Sequence, residues 1–583
     1  MRPWVLALPL LITLGCGTSY GTIPSNHIVM VNTEGHPVDP TGNTSCEQPG
    51  TPFCNGDHNP LVEYPSLTIQ QYDQYLDTLI KNLVSGQSCT PGLNSYLEEM
   101  QKKGALPKIL IFLHGGLNTQ TGSVERAAEL CKRIADEGSY PIFINWQSSL
   151  FPSYGNHLLH IRQGEDWRGG PLSKISGYLS APVYFAGDLT RALVRAPIAT
   201  FFQIRNDLET VPAVRPMLSL WASDLAIAQE SAFTALCQQS QYDQPDISSE
   251  AFTQYAEILG KQDFNCKTHG IEPGHELSGL NLSVGPDKRE SFEKTWAFAK
   301  YFLTLPTKLI TAPIIDAGGT SAWDVMLRSV TQLFHYDGEQ YIHNNVNHSR
   351  HNDPNGEIKN YKSSGALYLF FKRLERAVCG ERTKQIPCEN SNGWEITLVG
   401  HSTGAIIAHH ILREFEDLPI KNIVYMGAAS TIRDYQETVF PYLARKNKTF
   451  PLTQDDTRLV TPWPTHVYHL MLHEAAESGE WLWDTIDPFP RGSLLIWLDN
   501  FLSHPGSKED RTLGRFTNFI TMVHHTPPSL RPYIHIQKFG VGETVNEPKK
   551  HGDFGQKLKF WDPRCWKQPW PSTDLCYNPE GHY

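Results

Sequence analysis

Six short runs of mainly apolar residues constrain this chain more than any other feature. They are Ile109–Leu113, Tyr140–Trp146, Glu395–Val399, Asn422–Met426, His466–Leu472 and Tyr533–Phe539. A short, nearly continuous apolar run reads as a strand buried on both faces, the kind found in parallel sheets. Segments with helical spacing accompany these runs. Val124, Ala127, Leu130 and Ile134 repeat in that way, as do Leu367, Phe370, Phe371 and Leu374, and a helix is expected over Ala405–Leu412. Another is expected from Ile69 to Leu83, with Tyr72, Tyr75, Leu76 and Ile80 on one side. Strands alternating with helices imply an α/β fold, a doubly wound and mostly parallel sheet covered on both faces.

The 583 residues exceed one ordinary compact domain, and 40 % hydrophobic with 19 % charged residues is a globular composition. The formal charge of −11 without a basic stripe argues against nucleic acid as a partner. The strand–helix rhythm covers residues 66–148 and 363–560, which we read as two parts of one core. Residues 17–65, rich in Gly, Pro, Asn and Thr, are expected to form an exposed, extended leader, and 561–583 a Cys-containing C-terminal extension. Between the two core parts, 149–362 reads as a large, mainly helical insertion. Within it, Val183–Phe202 is apolar yet carries Asp188, Arg191 and Arg195, and Phe292–Ile315 is similar, with breaks expected at Pro306 and Pro313. A substrate cap and a buried subdomain without a binding role both fit this insertion. A membrane-surface helix fits less well, because neither patch has a concentrated basic face.

Residues 1–16 form a basic start followed by an apolar stretch too short to span a bilayer, the pattern of an export signal. Thr13-Leu14-Gly15-Cys16 resembles a bacterial lipoprotein processing site, departing from it at Thr13. That resemblance implies lipidation at Cys16 and membrane association through it, in the cell envelope or outer membrane. Ordinary signal cleavage, with a periplasmic or secreted product, is the alternative. The ten cysteines besides Cys16 suit an oxidising compartment. Spacing suggests Cys46–Cys54, Cys237–Cys266, Cys379–Cys388 and Cys565–Cys576, leaving Cys89 for Cys131, although spacing alone does not fix connectivity.

Gly400-His401-Ser402-Thr403-Gly404 carries the chemistry. By itself Gly-x-Ser-x-Gly is weak, since a chain this long produces it by chance roughly one time in five. Its context is specific: a buried strand ends at Gly400 and a helix begins at Gly404. A strand–serine–helix turn raises the hydroxyl at the strand end and puts the Thr403 amide at a helix N-terminus, where a developing oxyanion is stabilised. His114-Gly115-Gly116-Leu117-Asn118 closes the first run and resembles the oxyanion loop of lipases and esterases, with Gly116 or Leu117 as the second amide donor. Together these motifs resemble the α/β-hydrolase superfamily over about 103–148 and 364–560, the insertion falling between the strand 4 and strand 5 regions of that fold.

The resemblance implies a Ser-acid-His order, which restricts the partners to residues after Ser402. His551, in a polar loop beyond the last strand, is the expected base; His535 lies inside that strand, and His524 and His525 precede it. The acid is expected after the strand ending at Leu472. Asp487 in the coil Thr485-Ile486-Asp487-Pro488 leads, ahead of Glu474, with Asp484 and Asp434 behind. His343, His348, His351 and Asp353 form a polar cluster whose Asn-rich setting suits a solvated loop better than a metal site. The expected activity is hydrolysis of carboxylic esters, lipid-like or otherwise small, through an acyl-serine without cofactor. A peptidase or acyltransferase with the same triad, and a catalytically silent binding protein of the envelope on the same fold, are the alternatives.

Overall fold

The computed structural model describes residues 25–32, 35–41, 64–86, 89, 106–116, 120–146, 150–159, 161–162, 165–166, 173–210, 291–335, 365–380, 393–447, 464–472, 476–477, 480, 489–523, 526–540, 547–567 and 574–578. In chain order the elements that matter are β1 (Ile28–Val31), α1 (Ile69–Ser85), β2 (Lys108–Leu113), α2 (Gln120–Asp136), β3 (Tyr140–Trp146), α3 (Leu150–Leu159), α4 (Ser173–Thr210) and α5 (Ser291–Phe334). Then follow α6 (Ala366–Cys379), β4 (Glu395–His401), α7 (Gly404–Glu414), β5 (Ile420–Met426), α8 (Ile432–Lys446), β6 (His466–Leu472), α9 (Leu494–Trp497), α10 (Phe516–Val523) and β7 (Ile534–Phe539).

Among the described residues seven strands form one sheet in the order β1-β3-β2-β4-β5-β6-β7, and every pairing is parallel. This is an α/β architecture with helices around a parallel sheet, although the strand order is not the usual one of α/β-hydrolases. Side chains alternate across a strand, so each run feeds two cores. Ile109, Ile111, Leu113, Ile396, Leu398, Ile423 and Val467 enter one apolar cluster with α1, α6, α7 and α8. Their neighbours Leu110, Phe112, Val399, Val424 and Leu470 enter a second cluster with Val124, Ala127 and Leu130 of α2. Near-continuous apolar runs are what burial on both faces requires.

Three sequence readings change. The expected leader contains β1, whose four residues are at most 1 % exposed and pair with Phe143–Trp146. Four apolar residues among Gly, Pro and Asn are too few to register as a strand until an edge is offered to them. Residues 561–566 are integral to the core, since Trp561, Cys565 and Trp566 join the second cluster. Pro306 and Pro313 do not break α5, which runs through both. A proline removes one helical hydrogen bond, at about 3 kcal/mol, and a helix of this length tolerates that loss. The described parts of 149–362 include the helices α3, α4 and α5 and a two-stranded ribbon of Ile161–Arg162 with Glu165–Asp166.

Cys89–Cys131 and Cys565–Cys576 are bonded, as the spacing suggested. Cys379 is also in a disulfide. The pairs Cys46–Cys54 and Cys237–Cys266, Cys16, and the cluster of His343, His348, His351 and Asp353 lie outside the described residues.

Candidate active site

The sheet itself selects one crevice. After β2 the chain turns toward β3, whereas after β4 it turns toward β5 on the other side. Connections that diverge from adjacent parallel strands leave a gap at their carboxyl ends, where ligands of open α/β sheets bind. Leu113 pairs with Gly400, so His114-Gly115-Gly116 and His401-Ser402-Thr403 emerge side by side into that gap.

Ser402 has φ of 53°, one of two non-glycine residues with positive φ among those described. A side chain in the left-handed region costs about 1–2 kcal/mol, so surrounding bonds must hold it there. They do: the Ser402 N–H donates to the Met426 carbonyl at 2.9 Å, and its own carbonyl accepts from Ala405 at 3.1 Å and Ala429 at 3.0 Å. Both flanking glycines are close approaches. A Cβ on Gly404 would stand 2.3 Å from the Leu113 carbonyl oxygen, and one on Gly400 3.0 Å from the Ala405 nitrogen. The Gly-x-Ser-x-Gly spacing is thus the steric condition for α7 to start directly against β2. The Ser402 hydroxyl is buried and has no hydrogen-bond partner among the described residues.

The oxyanion candidates Gly116 and Thr403 are adjacent: a Cβ on Gly116 would be 3.2 Å from the Thr403 methyl and 3.0 Å from the Met326 methyl of α5. Leu117 lies outside the described residues. His114 orients this loop. Its Nε2 accepts from the Trp146 N–H at 2.9 Å, which leaves Nδ1–H to donate to the Gly115 carbonyl at 2.8 Å. Burial lowers its pKa to about 4, so the neutral form needed for that pairing prevails. With the Gly115 carbonyl held by His114, the trans peptide turns the Gly116 N–H the opposite way.

His551 reaches the same crevice from beyond β7. Its ring packs on Gly427, where a Cβ would be 2.9 Å from Nδ1, and stacks with His401 at a centroid distance of 5.3 Å. Burial lowers its pKa to about 4, keeping it neutral and able to accept a proton near pH 7. Neither ring nitrogen has a hydrogen-bond partner among the described residues, so Ser402 and His551 share the crevice without being bonded to one another.

The backbone of His551 is held from both sides by residues the sequence reading passed over. His401 Nε2–H donates to the His551 carbonyl at 3.1 Å. The His551 N–H donates to Glu480 Oε2 at 2.9 Å. Burial pushes the Glu480 carboxyl up to about 7, against the lowering effect of that N–H and with Asp553 adding to the rise. Glu480 lies in the connection after β6, the segment expected to hold the acid, between the two leading candidates. Glu474, Asp484 and Asp487 are outside the described residues. Asp434 is engaged elsewhere, accepting from His409 Nδ1 at 2.8 Å and from Arg413. Those two partners hold its carboxyl well below the usual carboxylate range, although burial opposes them.

His27, Cys89 and Cys131 come close enough together to suggest a metal site. The disulfide takes both sulfurs, and His27 Nδ1 donates to the Pro141 carbonyl at 2.9 Å. Comparisons with protein-family models, curated proteins and solved structures find no match to this chain.

Proposed function

We propose that the chain is a serine hydrolase of α/β-hydrolase type that cleaves carboxylic esters through an acyl-serine. The observation that carries this reading is Ser402 itself: a buried hydroxyl, unbonded among the described residues, on a left-handed residue between a parallel strand and a helix. Strain at a reactive position is retained where the turn is needed to present the side chain. Neutral His551, whose ring stacks on that of His401, the residue before Ser402, supplies the base.

In this mechanism the Ser402 Oγ attacks the ester carbonyl while His551 takes its proton. The oxyanion receives hydrogen bonds from the N–H groups of Thr403 and Gly116, the former at the start of α7, whose dipole favours negative charge. Protonated His551 then gives its proton to the departing alkoxide. Water, deprotonated by His551, attacks the acyl-serine, and as the acid is released His551 returns that proton to the departing Ser402 oxygen. His551 has to close onto Ser402 when substrate binds, a tightening common between free and occupied sites. A carboxylate from the connection after β6 would orient its ring; Asp487, Glu474 and Asp484 stay candidates, joined by Glu480. The bonded cysteines support an exported protein in an oxidising compartment.

A fluorophosphonate probe tests the reading. Wild-type protein should be labelled, and Ser402→Ala should abolish the label. The side chains of Ser402 and His551, unbonded among the described residues, also suit a silent fold that binds a partner, and absence of label on folded wild type would favour it. Esters of graded acyl length, set against amides and acyl acceptors, separate esterase from peptidase and acyltransferase.

A further inference from the structure

We infer that α4, together with the facing part of α5, is a bilayer-docking surface that lies in the membrane plane with its apolar side in lipid. The two helices are turned inside out. Between Tyr178 and Ile204, no residue that is exposed on α4 carries a charge. Leu179, Val183, Leu193 and Val194 are 75 %, 70 %, 71 % and 73 % exposed, and Phe185 and Ile198 lie on the same open side. On α5, Ile310 and Ile314 are 65 % and 56 % exposed.

On α4 and at the Ile310–Ile314 end of α5 the charged groups face inward instead, whereas Asp324 and Arg328 farther along α5 are exposed. Arg195 Nε donates to Asp316 at 2.7 Å, and the Asp316 side chain is fully buried. Asp188 accepts from the Tyr154 hydroxyl at 2.9 Å and from Ser321 at 3.3 Å, with His157 3.3 Å away. Lys308 is fully buried as well. The pairs Arg195–Asp316 and Asp188–Ser321 show that the helices run antiparallel, which puts Ile310 and Ile314 level with the Ile198 end of α4.

In water this arrangement is unfavourable twice over, since apolar area stays hydrated while ions are desolvated. In lipid the first term reverses, and pairing keeps the second from growing. The apolar side is solvated by hydrocarbon, and inward charges that pair with one another are the form in which ions are tolerated at a bilayer. The exposed stretch is about 40 Å long at 1.5 Å per residue. It presents on the order of 1,000 Å² of side chain, above the usual largest patch of a soluble monomer. A protein partner or a second copy would call for a polar rim. Among the described side chains of α4 along this length, the exposed exceptions to apolar character are Thr190 and Gly187. No helix of the described residues is long and apolar enough to cross a membrane, which suits a pair lying in the interface rather than spanning it. The described open side of α4 and the Ile310–Ile314 part of α5 carry no basic residue, so their attraction to lipid is apolar and not electrostatic.

The test uses the full chain with Cys16→Ser, so that no acyl group can account for binding, and vesicles of pure phosphatidylcholine. The protein should float with the vesicles, and about 0.5 M salt should leave binding unchanged. Val183→Glu with Leu193→Glu should weaken partitioning by about a hundredfold while leaving the thermal unfolding curve in place, because both sites are exposed. Independently, Leu193→Trp should show a blue-shifted emission on adding vesicles. Failure of wild type to float would overturn the inference, as would equal flotation of the double variant. Concentration-dependent dimerisation abolished by the same two substitutions, without vesicle binding, would also overturn it and make the face an interface between copies. Ser402→Ala should bind vesicles as wild type does, so the result stands apart from the fate of the proposed catalysis.

Discussion

Gly404→Ala is the most direct test of how the candidate nucleophile is built. The added methyl would sit 2.3 Å from the Leu113 carbonyl oxygen, 2.9 Å from the Leu113 carbonyl carbon and 3.0 Å from its Cβ. Ordinary contact begins at 3.4 Å, so the helix start must retreat from β2 by about 1 Å. The obstacle is backbone in a central strand, bonded to both neighbours, and it has little freedom to yield. Overpacking of this kind destabilises by about 1–3 kcal/mol, and the upper end applies because no side chain can swing aside. The retreat also carries Ser402 with it, and a 1 Å displacement of a reacting group lowers rate by about a hundredfold. Urea unfolding followed by circular dichroism measures the first effect, and the rate of fluorophosphonate labelling the second. Gly552→Ala is the control, since a Cβ there meets nothing within 4 Å. If Gly404→Ala unfolds at the wild-type urea concentration, the close approach of α7 to β2 is wrong, whatever the probe shows.

Other perturbations separate the remaining parts of the argument. Ser402→Gly should be about 1 kcal/mol more stable than Ser402→Ala by urea unfolding, because glycine relieves the left-handed strain that alanine keeps; a less stable glycine variant would contradict it. Because the His551 pKa is lowered to about 4, the labelling rate should hold down to about pH 5 and fall on further acidification, instead of falling near 6.5; an inflection near 6.5 would mean a solvated imidazole. Glu480, raised to about 7 from an unfolded value near 4.5, favours folding when protonated. Its contribution is full below 4.5 and lost as pH rises to 7, so Glu480→Gln should match wild type at pH 4.5 and exceed it by about 3 kcal/mol at pH 8; equal stability at both would refute the assigned burial. Replacing Cys89 and Cys131 together by serine should cost about 4 kcal/mol for a sequence separation of 42, against about 3 kcal/mol for the separation of 11 at Cys565–Cys576, read as urea midpoints.

The legible parts of this molecule are those whose signal is local. Each of the six apolar runs is a strand in the sheet, because burial on both faces leaves a mark within five to seven residues of sequence. The Gly400–Gly404 turn is legible for a similar reason: close backbone packing excludes Cβ at fixed positions, and only glycine satisfies that. Glu480 left no such mark. Its importance comes from His551, 71 positions away, whose N–H it accepts. β1 was hidden because a four-residue strand is specified mostly by the edge of β3 that receives it.

The amino-acid sequence by itself determined the strand–helix alternation, the serine between two obligatory glycines and the spacing of the bonded cysteines. Tertiary structure alone decided which loops share the crevice, since that depends on strand order and not on chain order. It also decided the orientation of α4. Helical periodicity put Asp188, Arg191 and Arg195 apart from Leu179, Val183, Leu193 and Val194, but a helix has no inside until something packs against it. Asp316, Tyr154 and Ser321 meet the polar side and turn the apolar side out.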